Sequence, residues 1–229
     1  MKILISSFPL AMFTDYAMGA FALFLALSIL RYGKKSGEHP IFFRSWGWGF
    51  ILLSLAVFLG GTVEGFRGYM SINSAENFRL GLAALAGLAT SFQVFGTMNL
   101  ALRDSPLRSL LFGIWGASIA IYLVFLILHI NSSLKTPFTV FNTAAIISLF
   151  LWYFLREKGS FVKPILYGIG AQLLAMLFYL GGISFGSLLS PSILFNLFMT
   201  VGLFFYYRGI TSEELWIKPA KKAQVFNPS

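Results

Sequence analysis

The fold class that the sequence predicts is all-α: a polytopic membrane protein of seven transmembrane helices, N-terminus outside and C-terminus cytoplasmic. Three observations predict it. Hydrophobic residues make up 57% of the 229 and charged residues only 11%, where soluble domains average about 25% charged. Seven apolar stretches reach the roughly 20 residues that a hydrocarbon core requires. Lysine and arginine are shared unevenly between the connections, which sets orientation.

The first span is placed at Phe8–Leu30. Its opening, "MKILISSFPLAMF", also resembles a signal-peptide core, with small residues in "AMGA". Cleavage after Ala20 would leave Phe21–Leu30, too short to span, so the segment is kept as a helix. The others are placed at Ser45–Phe66, Leu80–Leu102, Leu107–Ile130, Pro137–Leu155, Lys163–Gly186 and Pro191–Tyr207. Residues 1–210 then form one transmembrane domain and 211–229 a short cytoplasmic tail. There Thr211 and Glu214 fit a capping box, so the tail is expected to hold an interfacial helix. Lys218, Lys221 and Lys222 would hold it near an anionic leaflet.

Thirteen cations fall on one side: Arg31, Lys34, Lys35, Arg44, Arg103, Arg108, Arg156, Lys158, Lys163, Arg208 and the three tail lysines. Lys2, Arg67, Arg79 and Lys135 fall on the other. By the positive-inside rule the richer side is cytoplasmic. "FFRSWGWGF", "LWYFLR" and "LFFYYR" lie at that side and are read as an interfacial aromatic belt. Pro9, Pro106, Pro137, Pro164 and Pro191 mark helix starts, while Pro40 is placed in a loop. No proline interrupts a span, which argues against transporters that bind substrate at broken helices.

Composition excludes several chemistries. No cysteine is present, which removes disulfides, thiol catalysis and thiolate metal sites. The net charge of +9 is dispersed among loops with no basic run, so nucleic acid is not an expected partner. The expected partners are the bilayer and a small-molecule or lipid ligand; oligomeric state is not readable, and no cofactor or metal is expected.

Polar residues inside apolar spans cost roughly 2.5–3.5 kcal/mol when charged, so they normally face the bundle interior or water. Asp15, Glu64, His129, Asn142, Tyr179 and Asn196 each occur on a different span and fall in the outer half. They are the candidate ligand-binding residues. Glu64 ends the second span in "GGTVEGFRGY", where Gly61, Gly65 and Gly68 share one face. At 100° per residue Glu64 lies about 40–60° from that stripe, toward a helix crevice, although pairing with Arg67 is an alternative. Ala83, Gly87 and Ser91 form a second packing stripe and Ala171 and Ala175 a third. Ser192, Asn196 and Thr200 make a polar face on the last span; Thr139, Asn142 and Thr143 make a shorter one on the fifth. Gln93, Asn99 and Gln172 are read as packing or relay groups.

Several seven-helix families fail on their motifs. A retinal protein needs a lysine in its last helix, and Pro191–Tyr207 has none. "ALRDS" and "LFNLFMT" lack the G-protein-coupled receptor motifs. The zinc hydrolases that include alkaline ceramidases need several histidines, against His39 and His129 here. "TDYAMGAFALFLA" and "FLGGTVEGF" do resemble an uncharacterised family of bacterial seven-helix proteins. That family shows a Thr-Asp-Tyr start to helix one and a Gly-Gly-x-x-(His/Glu)-Gly end to helix two. The resemblance implies the architecture but no activity, and it falls on Asp15 and Glu64; the expected location is a bacterial cytoplasmic membrane.

The expected function is binding, sensing or transport of a small or lipidic ligand in an outer polar pocket. One alternative is a membrane hydrolase or lipid-modifying enzyme using Asp15, Glu64 and His129. The other is a structural partner whose polar groups only lock helices together.

Overall fold

The computed structural model describes residues 8–37, 39–103, 105–128, 135–157, 162–186 and 189–212. Seven α-helices are described: α1 Phe8–Ser36, α2 Pro40–Phe66, α3 Ile72–Ala101, α4 Arg108–Ile127, α5 Lys135–Glu157, α6 Val162–Leu180 and α7 Pro191–Ile210. A 3-10 turn, Arg67–Tyr69, joins α2 to α3. Six of the helices are long and apolar enough to cross a membrane; the apolar stretch described in α5 is shorter, Asn142–Tyr153. This is the make-up of an integral membrane protein.

Helix ends differ from the sequence reading where local chemistry outweighs hydropathy. Pro40 is not in a loop but opens α2, because its fixed φ suits a first turn. Gly37 and His39 turn the chain there at φ 65° and 47°. α3 begins eight residues before Leu80: the Ser71 hydroxyl accepts a hydrogen bond from the Ser74 N–H at 3.2 Å, and a polar first turn carries the helix beyond the apolar stretch. α6 stops at Leu180 rather than Gly186. Gly182 takes φ 62°, its N–H donates to Tyr179 O, and Ile183 N–H reaches back to Phe178 O. Those two bonds form a Schellman motif, which ends a helix at a left-handed glycine. Ser190 caps α7, with Pro191 at its first position.

α1 packs against α2 and α7, α2 also against α3, α3 against α5, and α6 against α7; a lighter contact between α5 and α6 completes the ring. α4 stands outside it, touching α3, and only 6% of its apolar window is buried.

The core is aromatic and sits toward the end of the bundle where α1 finishes and α2 begins. Trp46 is 1% exposed and packs against Phe42 and Phe50 of its own helix, Phe150 of α5 and Tyr206 of α7. Its indole N–H donates to Thr97 Oγ1 on α3 at 3.2 Å, and Tyr206 O–H donates to Gln172 Oε1 on α6 at 2.9 Å. The interfacial reading of "FFRSWGWGF" is therefore corrected for most of its rings: Phe42, Phe43, Trp46 and Phe50 are buried, and Trp48 alone among them faces outward. Rings four residues apart on α2 form a single inward stripe, which composition does not reveal.

Candidate functional site

The site lies at the opposite end, where α1 begins. Gly61 of α2 meets α1 so closely that a Cβ there would sit 2.9 Å from Asp15 Cβ and 3.0 Å from the Tyr16 ring. One turn on, a Cβ at Gly65 would collide with Met12. The two glycines bring the α1 and α2 backbones together and set Asp15 beside Glu64. Gly68, expected in the same stripe, falls instead in the 3-10 turn with open space around it. The helix has already ended, so the seven-residue spacing no longer returns to the seam.

Asp15 is held from the other side by α7. Asn196, 4% exposed, donates from Nδ2 to Asp15 Oδ1 at 2.7 Å and to Thr14 Oγ1 at 3.0 Å. Thr14 passes its own proton to Ala11 O. Beside them, Thr62 Oγ1 donates to Phe58 O at 2.8 Å, which leaves Tyr16 O–H to donate to Thr62 at 3.0 Å. These polar groups of α1, α2 and α7 thus find protein partners, as a low-dielectric environment demands.

Between α1, α2, α3, α6 and α7 these residues border a cavity of about 660 Å³. Such a volume lies within the range of roughly 300–1,000 Å³ found for small-molecule pockets. Asp15, Glu64 and Asn196 supply its polar wall, Ser192 adds a hydroxyl, and Tyr179 and Arg79, both exposed, stand at its edge. Asp15 and Glu64 are close enough to interact electrostatically. Met18, Leu53, Val57 and Met199 form apolar walls and rest on the aromatic core. The arrangement can hold an amphipathic molecule, with carboxyl and amide groups meeting its polar end.

Of the six residues singled out from the sequence, Asp15, Glu64, Tyr179 and Asn196 line this one cavity. Asn142 does not. It is fully buried between α5 and α3, where Nδ2 donates to Thr90 Oγ1 and Ser91 Oγ, both at 3.2 Å. Tyr122 O–H closes the neighbouring α3–α4 contact on Ala83 O at 2.6 Å, and its ring lies where a Cβ on Gly87 would be. Ala83, Gly87 and Ser91 therefore face two different helices. His129 lies outside the described residues, as do the tail beyond Ser212 and the side chains of Arg67 and Thr139. Among the described residues no group of three or more His, Asp or Glu is placed to hold a metal ion.

Sequence reasoning missed Thr14, Arg79 and Ser190 as neighbours of the site. Thr14 carried a signal, since it precedes Asp15 in the Thr-Asp-Tyr motif. Arg79 was hidden by the late start assigned to α3.

An all-helical membrane protein with a polar-walled cavity inside an apolar bundle is the class that the fold and the site define. Residues 10–214 match the model of a family of unknown function (DUF6962), and the chain belongs to that family. No curated protein and no solved structure matches it.

Proposed function

We propose that the chain binds a small or lipidic ligand in the cavity between α1, α2, α3, α6 and α7, as a receptor, sensor or carrier. The observation that supports this most is the Asp15–Asn196 hydrogen bond on the wall of a 660 Å³ space inside a membrane-spanning bundle. Ionisable groups within apolar spans normally face the bundle interior, a partner or a ligand path. Two carboxyl groups and an amide suit a ligand whose polar end donates hydrogen bonds or carries positive charge, with an apolar body against Met18, Leu53 and Met199.

The same reading takes all seven helices as spans, with the N-terminus outside and the C-terminus in the cytoplasm of a bacterial inner membrane. It rests on the lysine and arginine bias and on the resemblance to bacterial seven-helix proteins. The cavity then faces the outside.

The test is native mass spectrometry of the detergent-solubilised protein, with Asp15→Asn, Glu64→Gln and a cavity-filling Ala56→Phe variant beside wild type. A molecule that co-purifies with wild type and is lost from Ala56→Phe supports the reading. A deletion phenotype fully complemented by all three variants sinks it and leaves a structural partner. A stoichiometric metal lost from Asp15→Asn or Glu64→Gln favours the enzyme reading instead.

A further inference from the structure

At the other end of the bundle, the turn between α3 and α4 builds a second kind of site. Two adjoining crevices, of about 230 and 460 Å³, share Asn99 and Arg108. The smaller also has Arg103 and His39 in its wall; the larger has Ser105 and Ser109. No carboxylate is among the described residues that line either one. Asp104 and Glu38, adjacent in sequence, lie outside the described residues.

Arg108 is not a loose surface cation. Its guanidinium donates to Asn99 Oδ1 at 3.2 Å and lies over the Phe112 ring, 5.7 Å from the centroid. Asn99 is fixed in turn, donating from Nδ2 to Phe95 O at 2.8 Å. Arg108 is also the first residue of α4, whose N-terminus no side chain caps. Arg108 N–H donates to Ser105 O at 3.1 Å and Leu107 N–H to Ser105 Oγ at 3.3 Å, and the helix dipole favours an anion at such an end. A forked guanidinium and an amide shared by both crevices, with a second arginine in one and two hydroxyls in the other, match the oxygens of a phosphate.

The walls say where that phosphate comes from. Phe95 and Phe112, packed edge to face at 5.5 Å, continue the larger crevice between α3 and α4. Beyond them α4 is almost wholly exposed, with Leu110, Ile114 and Ile121 outward. An acyl chain laid along this face would keep its headgroup at Arg108. We infer that the α3–α4 crevice binds a phosphate group, supplied in the membrane by an anionic phospholipid, through Arg103, Arg108, Asn99 and the start of α4. This site is independent of the cavity around Asp15.

The test titrates the full-length protein in detergent with palmitoyl-oleoyl phosphatidylglycerol, with phosphatidylcholine of the same chains, and with inorganic phosphate. Binding is read by native mass spectrometry and thermal stability by intrinsic fluorescence. Phosphatidylglycerol is expected to bind more tightly than phosphatidylcholine. Each cation near the surface contributes about fivefold, so Arg108→Gln alone should lose about that factor and Arg103→Gln/Arg108→Gln the whole preference. Lys163→Gln/Arg208→Gln removes two exposed cations elsewhere at the same end and should keep it. Equal loss in that control, or full retention in both crevice variants, overturns the site. Stabilisation by inorganic phosphate with no gain from phosphatidylglycerol overturns the lipid source.

Discussion

At the scale of single residues, two buried asparagines carry different burdens. Asn196 supports a carboxyl group, whereas Asn142 supports two hydroxyls that already donate to backbone: Ser91 Oγ to Gly87 O, and Thr90 Oγ1 to Gly87 O and Ala86 O. Asn142 Oδ1 itself has no hydrogen-bond partner among the described residues. Removing Asn142 therefore strands little, since interhelical bonds of this sort average about 0.6 kcal/mol. Asn196→Leu should cost about 1–3 kcal/mol, the range for leaving a buried polar partner unsatisfied, and Asn142→Leu about 0.6 kcal/mol. Reversible unfolding in mixed micelles measures both; a larger loss at Asn142 would contradict the difference. Sequence alone placed the two on a par because both are asparagines at similar depth on their helices. Which helix each one faces depends on rotation about the helix axis, which depth does not fix.

At the scale of helices, glycines with similar surroundings in sequence have opposite roles. Gly61 lies against Asp15 and Tyr16, while a methyl group added at Gly113 on α4 would meet nothing within 4 Å. Gly61→Ala should cost about 1–3 kcal/mol through overpacking of the α1–α2 seam. Gly113→Ala should instead stabilise, by up to about 1 kcal/mol, through helix propensity. Thermal unfolding of the two variants gives the comparison, and a neutral Gly61→Ala would show that the seam is looser than the distances indicate. The seven helices were legible from hydropathy, and six of them are long and apolar enough to span. Span ends were not, because Ser71, Gly182 and Pro40 act through hydrogen bonds and backbone angles rather than polarity. The inward stripe of Phe42, Trp46 and Phe50 was masked for another reason: aromatic rings serve equally as core and as interfacial anchors, and only the neighbours on α5 and α7 decide.

At the scale of the whole molecule, charge and cavity occupy opposite ends. Arg31, Lys34, Lys35, Arg44, Arg103, Arg108, Lys163 and Arg208 cluster where the aromatic core lies, with Arg79 beside the cavity. If the proposed orientation holds, a fluorescent-protein fusion after Ser212 is bright and alkaline phosphatase inserted after Gly182 is active. The reverse pattern would place the cavity on the cytoplasmic face. The charge asymmetry was open to view in the sequence. The cavity was partly so: polar groups on separate spans shared one depth, and four of the candidates meet in it while Asn142, at similar depth, turns to α3.

The rings around Trp46 give that cavity a floor. From Asp15 its wall runs by Met18, Leu53 and Met199 to a block of side chains drawn from α2, α5 and α7, tied to α3 through Thr97 and to α6 through Gln172. Each large ring in such a block buries about 150–250 Å², so opening a way through it would unpack several helices at once. If the cavity holds a ligand as proposed, traffic across the membrane would have to begin by displacing that floor.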